Sequence, residues 1–443
     1  MDQSFMKTRK ILPLILSMSL PMVLSMAVNS LYNIVDSYFI AKMGEDAITA
    51  LSLVFPLQNM ITAIAVGWGV GVNASIAFFM GAAKKDSVNQ TATQSFAISF
   101  IHGLLITIVG FLGMPAFLRM FTSDAAIIDM ALIYANRILV FAPVVTVGIW
   151  YEKVFQAIGK MKVSMFSMIC GCVANIVLDP LLIFGIGFFP EMGIRGAAYA
   201  TGIGQCVTLV VYIVIFAVQQ TGIRLGLSYL KPDSALIGRI YRVGIPATLN
   251  LALPSLQISV LNGILSIYSG SYILILGIYN KLQTFIYLTA NGIVQGIRPL
   301  VAYNAGAGEE KRVKSIFHTS LLLILIIMGL GTVISMTCSN AIFAIFTTEE
   351  TTIRLGAQAL RIISLGFIIS GISVACSGVF EGLGEGLPSL YISLSRYIVI
   401  MLPCAFILSR LVGAIGVWYA FGLTELLTAL LTMWLYKRHL HHR

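Results

Sequence analysis

Charge is what this chain has least of: of 443 residues, 18 are Asp or Glu and 28 are Lys or Arg, together 10%. Soluble globular proteins carry about 25% charged residues, so that class is excluded. Histidine is scarcer still, with five in all. There is no His-Glu-x-x-His segment and His102 and His318 are isolated, so an intramembrane enzyme would lack its metal motif or base. The six cysteines sit mostly inside apolar stretches, and Cys170-Gly171-Cys172 is not metal-ligand spacing, so they read as packing thiols rather than a disulfide framework. No cofactor and no enzymatic activity are expected. Segments of alternating hydrophobicity about ten residues long are missing too, which excludes an outer-membrane barrel.

What remains is apolar: 58% of residues are hydrophobic. Twelve stretches are long enough to cross a hydrocarbon core of ~30 Å. They cover approximately 13–40, 47–79, 89–114, 127–157, 164–187 and 195–220, then 238–266, 271–302, 314–337, 350–380, 387–409 and 412–436. The expectation is an all-α polytopic membrane protein with twelve transmembrane helices in two pseudo-symmetric six-helix lobes. Residues 1–220 form the first lobe and 236–443 the second, joined by a cytoplasmic linker over 221–235. The first stretch starts like a secretory signal but is too long and contains Asp36, so it reads as a retained span. Basic residues gather in alternate loops, at Lys7–Lys10, Lys84–Lys85, Lys160–Lys162, Arg224–Arg242, Lys311–Lys314 and from Lys437 to Arg443. The opposite loops carry only Lys42, Arg119, Arg195, Arg354 and Arg410. That bias predicts a plasma-membrane protein with both termini cytoplasmic. The net charge of +10 follows from it and suits anionic lipid headgroups, not nucleic acid.

The chain also repeats itself. An offset of 225 residues joins Gly67 to Gly292, Gly71 to Gly296, Gly81 to Gly306, Pro21 to Pro246 and Gln58 to Gln283. Internal repeats are the signature of transporters whose halves face each other. The repeat is lopsided, for Asp36, Asn175 and Asp179 fall opposite Leu261, Ile400 and Cys404, and Thr201 opposite Phe421. The first half is therefore expected to hold ionisable chemistry that the second lacks. An acid at bilayer depth costs about 2.5–3.5 kcal/mol on insertion scales and needs a partner or a function. Asn29, Asn33 and Asp36 share one helix face, as do Asn175 and Asp179. Two carboxylates with amide and hydroxyl oxygens suit Na⁺ or a shared proton. The plainer alternative is that Asp179 caps a kink at Pro180 while Asp36 binds a neighbouring backbone.

Five segments in order carry a family pattern: Gly67-Trp-Gly-Val-Gly71 leading to Gly81-Ala-Ala, Phe155-Gln-Ala-Ile-Gly159, Asn175-Ile-Val-Leu-Asp179-Pro, Gly196-Ala-Ala-Tyr-Ala-Thr201 and Gln295-Gly-Ile-Arg-Pro. Through them the chain resembles the multidrug and toxic compound extrusion (MATE) transporters over nearly its full length. The resemblance implies a monomeric antiporter that exports amphipathic, often cationic small molecules by alternating access, driven by inward Na⁺ or H⁺. It implies that Asp36, Asn175, Asp179 and Thr201 hold the coupling cation (Na⁺ where sodium couples). The interval from Asp179 to Thr201 is about four residues longer than the family pattern. Tyr134 matches a tyrosine near that site, or is an aromatic-belt residue. Glu152 resembles an acid of drug-exporting members, or snorkels beside Lys153. Substrate is expected at Asn33, Glu152, Gln257, Tyr279, Asn280, Lys281, Gln283 and Tyr287, in a cavity between spans one, two, seven and eight. Lys281 either pairs with a first-lobe acid or favours zwitterionic or anionic cargo. No acid is expected in spans seven or ten, so a second-lobe cation site is not expected. Arg298 and Arg396 read as interface residues or interhelical pairs, and Glu425 has no charged partner near it in sequence. The competing transport reading is a lipid-linked precursor flippase or metabolite exporter of the same superfamily.

Overall fold

The computed structural model describes residues 3–441, with side chains to 439; Arg443 lies outside them. A short α1 (Phe5–Thr8) precedes α2 (Ile11–Ala41), α3 (Glu45–Gly81), α4 (Lys85–Arg119), α5 (Ala125–Val140), α6 (Ala142–Ala157), α7 (Met161–Phe184) and α8 (Ile194–Val218). After the linker come α9 (Ser234–Leu265), α10 (Gly270–Gly306), α11 (Glu310–Ala344), α12 (Glu350–Gly382), α13 (Gly386–Leu394), α14 (Met401–Val412) and α15 (Ile415–His441). Among the described residues, 11 helices are long and apolar enough to cross a membrane, or 12 when the bent pair α5–α6 counts as one span.

Two expected spans are interrupted, each at a proline. The fourth bends by 46° between α5 and α6. Pro143 has no N–H for the Leu139 carbonyl and its ring crowds it; the freed oxygen accepts instead from the Thr107 hydroxyl of α4 at 2.6 Å. The eleventh span carries a π turn, Ser395–Val399, between α13 and α14. There the Ile400 N–H reaches back to the Ser395 carbonyl, immediately before Pro403 denies a donor to the Val399 carbonyl.

The halves meet along small residues. α3 packs along α9, and α2 along both α7 and α10. Gly81 leaves no room for a Cβ against the Tyr303 backbone, and its repeat partner Gly306 none against that of Phe78. Gly67 and Gly71 meet α9 at Thr248 and Ile240, while Gly292 and Gly296 meet α2 at Val23 and Ser19. The two halves are thus closed on each other at the end where the basic loops lie. Leu14, Ile15, Met18 and Met22 of α2 belong to the apolar core of the second half, so the first span crosses over. The linker lies against α4: Asn89 accepts from the Arg224 N–H, and Gln94 bonds the Tyr229 and Lys231 carbonyls and the Asp233 N–H. Asp233 then caps α9 through the N–H groups of Ala235 and Leu236.

Candidate cation site and central cavity

Asp36 of α2, Asn175 and Asp179 of α7 and Thr201 of α8 come together in the first half, none more than 9% exposed. Asn175 and Asp179 share a face because they are one helical turn apart. With its carboxamide turned to satisfy both ends, Asn175 donates to Asp179 Oδ2 (3.1 Å) and accepts from the Thr201 N–H (3.0 Å). Asp179 is thus held by a side chain and does not cap a kink. Asp36 lies within electrostatic range of Asp179. Neither acid has a Lys or Arg partner among the described residues, and Oδ1 of each is buried with no hydrogen bond. A buried ionised carboxylate left in that condition is costly, so the pair calls for a proton or a cation, and every donor present is a hard oxygen.

Tyr134 is fully buried in the first-half core with Ile40, Ala50 and Ala197. Its hydroxyl accepts from Gln58 Nε2 at 3.2 Å and lies near the Thr201 side chain. Tyr32, one turn before Asp36, also lies near Thr201. Sequence reading passed over Tyr32 and the site role of Gln58; the signal for Tyr32 was its four-residue spacing from Asp36. At the equivalent place in the second half, Leu261, Tyr279 and Phe421 pack as apolar core, with the two rings edge to face.

A cavity of about 390 Å³ lies between α2, α3, α9, α10, α12 and the α13–π segment. Gln257, Asn280, Gln283 and Tyr287 line it, while Asn33, Glu152, Tyr279 and Lys281 do not. Asn33 bonds Asn29 one turn beyond Ser30, the last lining residue of α2. Tyr279 is turned into the core. Lys281 is exposed and has no ion partner among the described residues. Glu152 belongs to a knot at the basic end, where its Oε1 accepts from Lys153 Nζ and Gln156 Nε2, both at 2.7 Å.

The charge asymmetry expected from the repeat needs correcting. The charged residues of the cavity wall, Arg298, Glu381 and Arg396, all belong to the second half; the first half contributes Met26, Ser30, Val66 and Val70. Arg298 Nη2 meets Glu381 Oε2 at 2.6 Å and Arg396 Nη2 meets Glu425 Oε1 at 2.7 Å. Glu381 lies within α12, so the tenth span does carry an acid, and Asn250 and Ser389 donate to it. A comparison anchored on the acids of the first half could not see them. Read from the other side, Arg298, Glu381 and Arg396 fall opposite Asn73, Gln156 and Gly171.

The MatE family pattern matches residues 21–181 and 246–407. The chain belongs to the MATE family of membrane transporters. It is 27% identical over 418 residues to the multidrug export protein MepA of Staphylococcus saprophyticus, covering 94% of this chain and 91% of that one. To MepA of Staphylococcus aureus strain NCTC 8325 it is 28% identical over 425 residues, with the same coverage. Among solved structures, the outward-facing conformation of a multidrug resistance MATE family transporter aligns with a TM-score of 0.92 at 24% identity, over 99% of this chain and 98% of that one. This MATE chain is a multi-pass membrane transporter and not an enzyme. Its first repeat, through Asp179, and its second, through Pro403, both fall inside the matched segments.

Proposed function

We propose that this protein exports amphipathic, mainly cationic small molecules across the plasma membrane in exchange for Na⁺ or H⁺, with both termini cytoplasmic. The observation that carries the coupling is the buried Asp36–Asp179 pair, each acid with one orphaned oxygen and no basic partner among the described residues. It stands apart from the central cavity, as coupling through conformation requires: the ion acts on α2, α7 and α8, while cargo sits against α9, α10 and α12. The similarity to MepA proteins supports drugs as cargo. In this reading the glycine contacts at the basic end describe a state closed to the cytoplasm. A cavity of about 390 Å³ matches drug-sized ligands, whose sites run about 300–1,000 Å³, and argues against a bulky lipid-linked precursor. Na⁺, protons and membrane lipid are the expected partners of a monomer. The test is ethidium efflux in everted vesicles with Na⁺ and pH gradients imposed separately. Efflux driven by either supports coupling, and movement that merely follows the dye's own gradient refutes it.

A further inference from the structure

The two arginines of the cavity wall are not equivalent. Arg298 faces the cavity together with its partner Glu381, so its charge is cancelled at the surface. Arg396 lines the cavity while its partner Glu425 stands behind it, outside the lining. The guanidinium is held rigidly from the back. Nε donates to Glu425 Oε1 at 2.7 Å and Nη2 donates to the Tyr287 hydroxyl at 2.8 Å. That hydroxyl is fixed in turn by Ser370. The Tyr287 and Tyr397 rings lie 5.2 and 5.5 Å from the guanidinium carbon, and both tyrosines line the cavity. Nη1 is left with no protein partner among the described residues, although Arg396 is 7% exposed.

The backbone contributes to this placement. Arg396 occupies the π turn Ser395–Val399, and π-bulges inside α-helices occur frequently at functional sites. The fold itself does not require an arginine here. The opposite position in the first half is Gly171, packed so closely on Gly204 and Thr208 that a Cβ would clash. A purely structural ion pair would also be covered on both sides, whereas this one presents its basic member to the cavity.

We propose that Arg396, backed by Glu425 and flanked by Tyr287 and Tyr397, is a carboxylate-binding subsite of the cavity. A planar guanidinium that stays charged, with its rotamer already fixed, suits a carboxylate better than a mobile lysine does. Glu425 cancels its resting charge, so the cavity also admits cations. Aromatic zwitterions bearing a free carboxylate are therefore bound in preference to their esters. This rests on the export reading only in taking the cavity as the place where cargo binds.

The experiment titrates the purified full chain in lipid nanodiscs with rhodamine B and with its ethyl ester, followed by fluorescence anisotropy. The wild type should bind the acid about tenfold more tightly, equivalent to about 1.4 kcal/mol. Arg396→Gln should remove that preference while leaving ester affinity within about twofold. Glu425→Gln keeps a hydrogen-bonding group behind Arg396 but removes its countercharge, and should raise affinity for the acid several-fold. Equal wild-type affinity for acid and ester, which needs no variant to measure, overturns the subsite and leaves the export reading intact. An equal loss of both ligands in a folded Arg396→Gln protein also overturns the subsite. Failure of the wild type to bind either dye overturns the subsite and removes the cavity from the export reading.

Discussion

The Thr107 hydroxyl donates to the Leu139 carbonyl across 2.6 Å, and that bond closes the gap Pro143 opens in the fourth span. The repeat keeps the contact where the proline is gone: 225 residues later, Thr332 donates to the Ser364 carbonyl at 2.9 Å inside the uninterrupted α12. The two bonds look alike and have different worth. The Leu139 carbonyl has lost its regular helical donor to Pro143, whereas the Ser364 carbonyl keeps its intrahelical partner within the continuous α12.

Thr107→Val should therefore strand a buried carbonyl and cost about 1–3 kcal/mol. Thr332→Val should cost about 0.6 kcal/mol, the average for an interhelical bond in a membrane. Thermal unfolding of the two variants in detergent checks this, and equal losses would show that the proline break is satisfied some other way.

The segment before α2 is tied down from the far half of the chain. Arg312 donates to the Met6 and Arg9 carbonyls, and Asn304 donates to that of Met6. Lys7 meets Glu309 at 2.7 Å, and its proximity holds the Glu309 carboxyl below its ordinary range. A carboxyl with a depressed pKa contributes above its unfolded pKa, and the contribution is lost as pH falls through the folded value. This pair is exposed, so salt should weaken it as well. Arg312→Ala should raise hydrogen exchange across residues 3–9 strongly, since its charge-assisted bonds are worth roughly 1.5–3 kcal/mol each. Lys7→Ala should raise it only slightly, by an amount that vanishes in acid or in high salt. Unchanged exchange in Arg312→Ala would falsify the tether.

Much of the fold was legible from hydropathy and the repeat, because a chain in lipid must satisfy its backbone within each span. All twelve stretches reappear, the fourth as a bent pair, and several helices run beyond the expected bounds, the ninth furthest, to Ala344 rather than 337. The π turn was not legible: Pro403 marks a disturbed ladder, but its type depends on how α13 and α14 pack. The grouping of Asp36 with Asn175, Asp179 and Thr201 could be read because acids at bilayer depth are few. The second-half pairs could not, since Arg396 and Glu425 are 29 residues apart on different spans and nothing local shows that they face each other. Glu381 was overlooked for lying at the end of its span, where an acid is unremarkable. Asn33 shared a face with Asp36 in the helical count, yet the small angle between them is enough to turn one into the first-half core and leave the other exposed.

Gly81 and Gly306 are where the halves touch at the basic end. A side chain there meets backbone, not a flexible neighbour, so it cannot be relieved by a rotamer change. Gly81→Val should disfavour the closed contact and bias the protein towards opening at that end. A cysteine placed at Ser30, which lines the cavity, in an otherwise cysteine-free background should then react faster with an impermeant thiol reagent added from the basic side. Gly308→Ala serves as the control, because no atom lies within 4 Å of a Cβ at that position; its strain is that of a positive φ alone. Equal labelling of wild type and Gly81→Val would show that the contact does not gate access.

Asp36→Asn and Asp179→Asn test the cation site most directly. Each keeps the size of the side chain and removes the ionisable oxygen, in a fold that already tolerates Leu261 and Cys404 at the equivalent positions. Neither acid forms an ion pair among the described residues, so neither substitution strands a buried basic partner there, the usual cause of losses of 3–5 kcal/mol. Both variants should insert with wild-type thermal stability or better and should still bind dye in the cavity, which lies elsewhere. Gradient-driven efflux should fall to background in each. Ser37→Ala is the matched control: Ser37 is the exposed neighbour of Asp36 on the same helix, and its loss should leave efflux unchanged. If Na⁺ is the coupling ion, it should protect the wild type against thermal unfolding more at high pH than at low pH, because protons compete for the same oxygens, and that protection should vanish in both variants. Protection that survives in Asp36→Asn and Asp179→Asn together would place the ion somewhere else in the molecule.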